Sequence, residues 1–370
     1  VTWLEDAMHG LLDPSRTTRD ALAEMTGLSE PMVDWGLRTT LETARKDNLQ
    51  ALAHDAMAVR TEPIEMLALV LAGNVFTAAM RAVVVPLLLG VPVLGKTSSA
   101  ETLFPTMIRD ALRRVDAELG SAFDLVSFHG GDSNRERALI ESAEAVAVYG
   151  GDDTVRAIRE RHRDRRLIAH GHGVSVAFCG PASLRPDRLS ETVRALSLDI
   201  CAYDQRGCLS PQLVVVEETP ACSARRFAQM LANEGLDALS QTLPRGPLPL
   251  EIGVAQAQWR GLVEVEGDLW IGRDFAVALV PAHAFRWSPC YRNISVVPVR
   301  RLEDAMEMLS SFGSNLKCVG ADPISLPIVD ASLEANRELE AYATKLGTMQ
   351  TPALDAPADG KPVWHGLFRA

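Results

Sequence analysis

From residue 66 onward the chain repeats one pattern, and that pattern restricts its fold more than any other feature. A short apolar run ends at a turn rich in glycine, serine or threonine, and a helix-like stretch follows. Leu67-Ala68-Leu69-Val70-Leu71 stops at Gly73-Asn74, and the helix after it runs to about Leu89. Val91-Pro92-Val93-Leu94 leads into Lys96-Thr97-Ser98-Ser99, with a helix over about 100–115. Phe123-Asp124-Leu125-Val126 reads as a third strand. Ala145-Val146-Ala147-Val148-Tyr149 reads as a fourth, ending at Gly150-Gly151-Asp152-Asp153. A charged helix follows and closes in the basic run Arg161 to Arg166, which reads as a solvated helix end. Strands that lack polar alternation are covered on both faces. Strands that alternate with helices specify a doubly wound parallel sheet, which binds ligands beyond the carboxyl ends of its strands. The fold class expected is therefore α/β.

A second α/β region starts near Gly173. Leu189, Val193, Leu196 and Ile200 have helical spacing and run into Tyr203-Asp204-Gln205-Arg206-Gly207-Cys208. Gln212 to Glu217 reads as a strand, with a long helix from about Cys222 to Leu243. The order repeats with a strand over about 294–299 and a helix over about 302–312. Ahead of all this, residues 1–60 read as helices, with Leu4, Met8 and Leu11 on one face.

The chain has 370 residues, 47% of them apolar and 23% charged, which suits a soluble chain of two domains. Its formal charge of −11 argues against a nucleic-acid or anionic-membrane partner. The apolar stretch from Met66 to Leu94 is broken by Gly73, Asn74, Arg81, Pro86 and Gly90, so no integral membrane segment is expected. No signal peptide is visible in the opening residues, which start on Val1. Six cysteines are scattered without a CxxC pair or zinc spacing. They point to thiols in a reducing compartment, hence a cytoplasmic protein, and to no metal site.

Among those six, Cys208 stands apart. It follows a polar segment and Gly207, and it precedes Ser210-Pro211 and a strand. Glycine lets a ligand approach the backbone, and the neighbouring Arg206 favours thiolate, the nucleophilic form. A buried structural cysteine is the competing reading.

Asp204-Gln205-Arg206-Gly207-Cys208-Leu209-Ser210-Pro211-Gln212 resembles the nucleophile segment of the LuxC-type fatty acyl reductases, the acyl-CoA reductase branch of the aldehyde dehydrogenase superfamily. Other segments agree in order. Leu71-Ala72-Gly73-Asn74-Val75-Phe76 resembles the superfamily turn whose asparagine helps hold an oxyanion. Residues 89–98 resemble its strand ending in Lys-Pro-Ser, which places Lys96, Thr97 and Ser98 at the adenosine ribose. Tyr149-Gly150-Gly151-Asp152 resembles its glycine turn near the cofactor pyrophosphate. Ser288 to Val299 with Leu302-Glu303-Asp304-Ala305 resembles a stretch that closes over the nicotinamide, and Asp359-Gly360-Lys361-Pro362 resembles the tail of the acyl reductase branch.

The resemblance implies an aldehyde dehydrogenase-like fold. The domains expected are a helical segment (1–60) packing on a Rossmann-like nucleotide-binding domain (61–174), a catalytic domain (175–350), and a linker and tail (351–370), the last read from the Pro, Asp, Gly and Ala of 351–360. It implies reduction of an acyl-CoA or acyl-carrier-protein thioester, with NADPH or NADH, through a Cys208 acyl-enzyme and an oxyanion held by Asn74. Each borrowed residue has a plainer reading. Asn74 could cap a helix, Lys96 could be a surface lysine, and Thr97-Ser98-Ser99 could be an N-cap cluster. Hydrolytic members place a Glu base where this chain reads His170-Gly171-His172-Gly173, so thiol transfer is favoured over hydrolysis, with His170 or His172 as candidate bases. Aldehyde oxidation by the same site and a non-catalytic binding subunit stay open, as does a homo-oligomer.

Overall fold

A computed structural model describes residues 1–59, 61–336 and 338–369. They form two compact units. One comprises Val1–Thr26, Val33–His172 and Pro352–Ala370, and the other Gly27–Met32 and Gly173–Thr351.

The first unit is built on a five-stranded sheet: β1 (Leu67–Val70), β2 (Val93–Lys96), β3 (Phe123–Val126), β4 (Ala145–Tyr149) and β5 (Arg166–His170). Its order is β3-β2-β1-β4-β5, parallel throughout. The apolar stretch from Met66 is strand, turn, buried helix (Ala78–Leu88) and strand, as its interruptions predict. Among the described residues no helix is long and apolar enough to cross a membrane. β2 begins two residues later than expected, because Pro92 offers only its carbonyl, to Leu67 N at 2.9 Å. The order reverses between β1 and β4, a topological switch point.

The basic run differs from its expected form. The helix Asp152–Arg161 ends earlier, and Arg166 opens β5. Arg161 forks onto Glu136 with two bonds of 2.8 Å, and His162 Nε2 lies 3.2 Å from the same carboxylate. These side chains serve internal partners, which a run of like residues cannot disclose. The 351–370 segment, read from its composition as linker and tail, returns to this unit. Asp359 meets His170 at the end of edge strand β5, and Arg166 at its start donates to the Phe368 carbonyl. Arg369 then joins Glu144 (3.0 Å) and Glu65 (2.7 Å).

The second unit has a seven-stranded sheet: β6 (Val174–Cys179), β7 (Pro211–Glu217), β8 (Asp268–Ile271), β9 (Ala276–Leu279), β10 (Asn293–Val299), β11 (Leu316–Ala321) and β12 (Tyr342–Lys345). The order is β12-β11-β6-β7-β10-β9-β8, and only β8 runs antiparallel to its neighbour. One face buries the helix Leu189–Cys201 with Phe227, Leu231 and Leu236, and the other buries Trp259, Val263, Leu309 and Leu333. The long helix expected after Cys222 is Ala224–Met230, a π-helical turn Leu231–Leu236, and Asp237–Thr242.

Asp199, buried on the helix Leu189–Cys201, accepts N–H bonds from Gly347 (2.6 Å) and Met349 (3.0 Å). Burial pushes its carboxyl from an ordinary 3.8 up to about 7, against the pull of the backbone donors at Gly347, Met349 and Gln350. The folded state thus favours the protonated acid. Its stabilisation is complete below the unfolded value and is lost as pH rises through about 7. Asp199→Asn is expected to abolish that loss, of which on the order of 3 kcal/mol falls between pH 5 and 7. Urea midpoints of the variant should then fall less steeply over that range than those of the parent protein.

Candidate active site

In the first unit, the sequence-predicted residues gather at the carboxyl edge of the sheet. Asn74 lies exposed in the turn after β1. The next helix starts at Ala78 behind its N-cap Thr77, so Asn74 is not that helix's cap. Gly73 is needed for close packing, since a Cβ there would lie 2.7 Å from Ser98 Oγ. Lys96 ends β2, with Nζ 3.1 Å from the Thr97 carbonyl and 5.0 Å from the Phe128 ring centroid. Desolvation lowers its ammonium pKa, opposed by the charge of Glu136. This is a half-buried cation, not a freely solvated surface lysine. Thr97 is 4% exposed, and its Oγ1 has no hydrogen-bond partner among the described residues. Nor do Thr97, Ser98 and Ser99 cap a helix: the next one begins at Leu103, where Glu101 Oε1 accepts from Phe104 N at 2.7 Å.

Gly150 and Gly151 follow β4, and Gly151 is the N-cap of the helix Asp152–Arg161. A Cβ on Gly151 would meet nothing within 4 Å, so the turn faces open space. Asp152 and Asp153 occupy the first turn of this helix, which opposes a phosphate there. Both carboxylates are engaged elsewhere. Asp152 accepts from His172 N at 2.9 Å, and Asp153 pairs with Arg156. The half-buried Lys96, the orphaned Thr97 hydroxyl and the open glycine turn at a switch point fit a dinucleotide. His170 extends this edge. Its Nδ1 is 2.7 Å from Asp359 Oδ2, and its ring stacks on Tyr149 at 4.3 Å.

In the second unit, Cys208 sits on a loop at the amino ends of β6, β7 and β10. Its carbonyl accepts from Ser175 Oγ at 2.7 Å. Gln205 closes the base of the loop, with Nε2 donating to the carbonyls of Pro211 (2.8 Å) and Asn293 (2.9 Å). The approach to the loop is strained. Tyr203, Asp204 and Gln205 have φ of 50, 53 and 59°, and Cys290, Tyr291 and Arg292 have 60, 52 and 67°. Each such non-glycine residue costs about 1–3 kcal/mol and persists only where its surroundings over-determine it. Here a buried ion pair joins the two turns. Arg292 donates to Asp204 Oδ1 from Nε (3.1 Å) and Nη2 (2.7 Å), with side-chain exposures of 0% and 1%. Gly246 N reaches Asp204 Oδ2 at 3.0 Å, and Arg292 Nη1 reaches the Leu243 carbonyl at 2.8 Å. Arg206, expected beside the thiol, donates from Nε to the Tyr203 carbonyl (3.2 Å) and lies 5.9 Å from the Tyr291 ring centroid.

Cys208 is the one exposed cysteine of the six. Burial pushes Cys179, Cys222 and Cys318 up, and raises Cys201 and Cys290 to about 11. Iodoacetamide under native conditions is therefore expected to alkylate Cys208 at least about tenfold faster than any other cysteine. Peptide mapping of a short time course reads this directly, and equal labelling of Cys290 would contradict it.

Asp204 stood inside the motif, but its role was invisible without Arg292, 88 positions away in sequence. The Asp359 partner of His170 is 189 positions away. Neither pairing leaves a local signal.

A family model described as acyl-CoA reductase (LuxC) matches residues 1–360. A curated relative, long-chain acyl-protein thioester reductase 2 of Photobacterium leiognathi, is 27% identical over 148 residues, 38% of this chain. That match spans 30% of the relative's own length. Among solved structures, an oxidoreductase from Marinobacter aquaeolei aligns with a TM-score of 0.71 at 15% identity, over 93% of this chain and 77% of that one. Aldehyde dehydrogenase 21 of Physcomitrella patens aligns at 0.70 and 14%, over 97% and 80%. Aldehyde dehydrogenase C of Pseudomonas syringae aligns at 0.68 and 13%, over 92% and 76%. The aldehyde dehydrogenase-like fold is thereby shown.

Proposed function

Because the chain belongs to the acyl-CoA reductase (LuxC) family, we propose that it reduces an acyl thioester to an aldehyde through an acyl-enzyme on Cys208. The observation that carries this reading is the contrast among the cysteines. One exposed thiol stands on a loop fixed at Gln205 and Ser175, while burial raises the pKa of the other five. The Cys208 thiolate attacks the acyl carbonyl carbon. A new carbon–sulfur bond forms, the bond to the donor's sulfur breaks, and the donor leaves as a thiolate that takes up a proton. Asn74 is proposed to steady the oxyanion, a contribution of about 3–4 kcal/mol for a well-placed donor.

Lys96, Thr97, Ser98, Gly150 and Gly151 would hold a reduced nicotinamide nucleotide, NADPH or NADH. When bound, it supplies the hydride that takes the thioester to the aldehyde level. The resulting thiohemiacetal on Cys208 expels aldehyde and restores the thiol. A fatty acyl donor, on CoA or on an acyl-carrier protein, agrees with the long-chain acyl-protein thioester in the relative's name and with the octanal and NAD+ named for the Pseudomonas syringae structure. The cytoplasm suits a reactive thiol.

Lys96→Ala is expected to weaken NADPH or NADH binding about tenfold, read by fluorescence titration. The test of the reading itself is intact mass after mixing the protein with acyl-CoAs of graded length, without nucleotide. An acyl adduct on the Cys208 peptide supports it. No adduct from any acyl-CoA or acylated carrier protein refutes it.

A further inference from the structure

We infer that the Asp204–Arg292 pair is a positioning device for the nucleophile: it fixes the direction in which the Cys208 loop leaves the helix Leu189–Cys201. The inference rests on Cys208 being the acylated residue.

Three observations converge. The pair joins two runs of left-handed residues, 203–205 and 290–292, and Asp204 and Arg292 themselves belong to those runs. Both carboxylate oxygens are engaged: Oδ1 takes two guanidinium N–H groups and Oδ2 takes the Gly246 N–H. The residue beyond each partner then holds the loop. Gln205, next to Asp204, bonds to the carbonyl of Asn293, next to Arg292, and to Pro211 at the far side of the loop. The loop carrying Cys208 is thus tied at both feet to one buried joint.

A fully buried ion pair contributes little net stability compared with apolar packing, because desolvation offsets its attraction. What it fixes is angle and register. Arg292 Nε and Nη2 converge on Oδ1 while Gly246 N holds Oδ2 and the Leu243 carbonyl holds Nη1, and together these contacts restrict the relative orientation of the turns. A nucleophile misplaced by about 1 Å loses up to a hundredfold in rate. Asp204 and Arg292 are therefore positioning residues rather than catalytic ones, acting through the backbone of residues 205–208.

The test uses the full chain with Asp204→Asn and Arg292→Gln together, a pair that removes both charges at once, so that no lone charge is left buried, and that gives up the guanidinium fork. Native circular dichroism and a cooperative melt confirm folding. Three quantities are then compared with the parent: the limiting rate of Cys208 acylation by acyl-CoA, the acyl-CoA concentration at half-saturation, and the alkylation rate by iodoacetamide. Positioning predicts a limiting acylation rate lower by about ten- to a hundredfold, with half-saturation and alkylation within about threefold. A merely structural pair would leave all three unchanged in the folded variant, and that result overturns the inference. An equal fall in alkylation overturns it too, by showing that the pair acts on thiol ionisation. If the double variant does not fold, Arg292→Lys keeps the charge on Asp204 but loses the fork, and the same split is required of it. A parent protein that forms no Cys208 adduct fails the reading beneath, and this inference with it, whatever the variants do.

Discussion

Cys208→Ala is expected to form no acyl adduct and to reduce acyl thioesters at least about ten-thousandfold more slowly, because removing the nucleophile of a covalent mechanism eliminates the pathway rather than weakening it. Nucleotide binding should survive, since Lys96, Thr97 and the glycine turn belong to the other unit. Stability should change little, because Cys208 is exposed and its carbonyl, not its side chain, takes the Ser175 bond. Three measurements on one preparation decide the matter: intact mass with acyl-CoA, aldehyde production, and NADPH fluorescence. Aldehyde production within tenfold of the parent would assign the chemistry to another group.

Asp204→Ala carries the largest expected effect on stability. The substitution leaves Arg292, at 0% exposure, as a buried charge facing no carboxylate, and it removes the acceptor of Gly246 N. Loss of one partner of such a pair costs about 3–5 kcal/mol. For a unit of this size the melting midpoint should fall on the order of 10 °C. The paired change Asp204→Asn with Arg292→Gln should recover most of that fall, since it removes both charges together. A drop below about 1 kcal/mol for the single variant would show that water reaches Arg292 in solution.

How much of this was legible in the sequence depended on whether the cause lay within a few residues. β3 and β4 were readable to the residue, because an apolar run between turns carries its own boundaries. Cys208 was readable because glycine, the polar residues before it and Ser-Pro after it all lie within one loop. β5 was missed. Its start, Arg166, is an arginine whose partner is the Phe368 carbonyl some two hundred residues later, so local polarity spoke against a strand. Asn74 and the Thr97–Ser99 cluster each had a second reading as helix caps. The helix starts at Ala78 and Leu103 removed that alternative. The left-handed turns were unreadable in principle. Tyr203, Asp204, Gln205, Cys290, Tyr291 and Arg292 include no glycine, and the contacts that hold them, Asp204 with Arg292 and both with residues 243–246, join positions far apart in sequence.

The return of residues 352–369 to the first unit sets an order of assembly during synthesis. Edge strand β5 is made early, yet the segment that meets its two ends emerges only after the whole second unit. At ordinary elongation rates the roughly 180 intervening residues take about ten to forty seconds. For that interval β5 presents an open edge, the kind of surface on which nascent chains pair wrongly. Of the two units, the one begun first is thus completed last, and a chain cut short before residue 352 would carry a whole second unit and a first still unsealed.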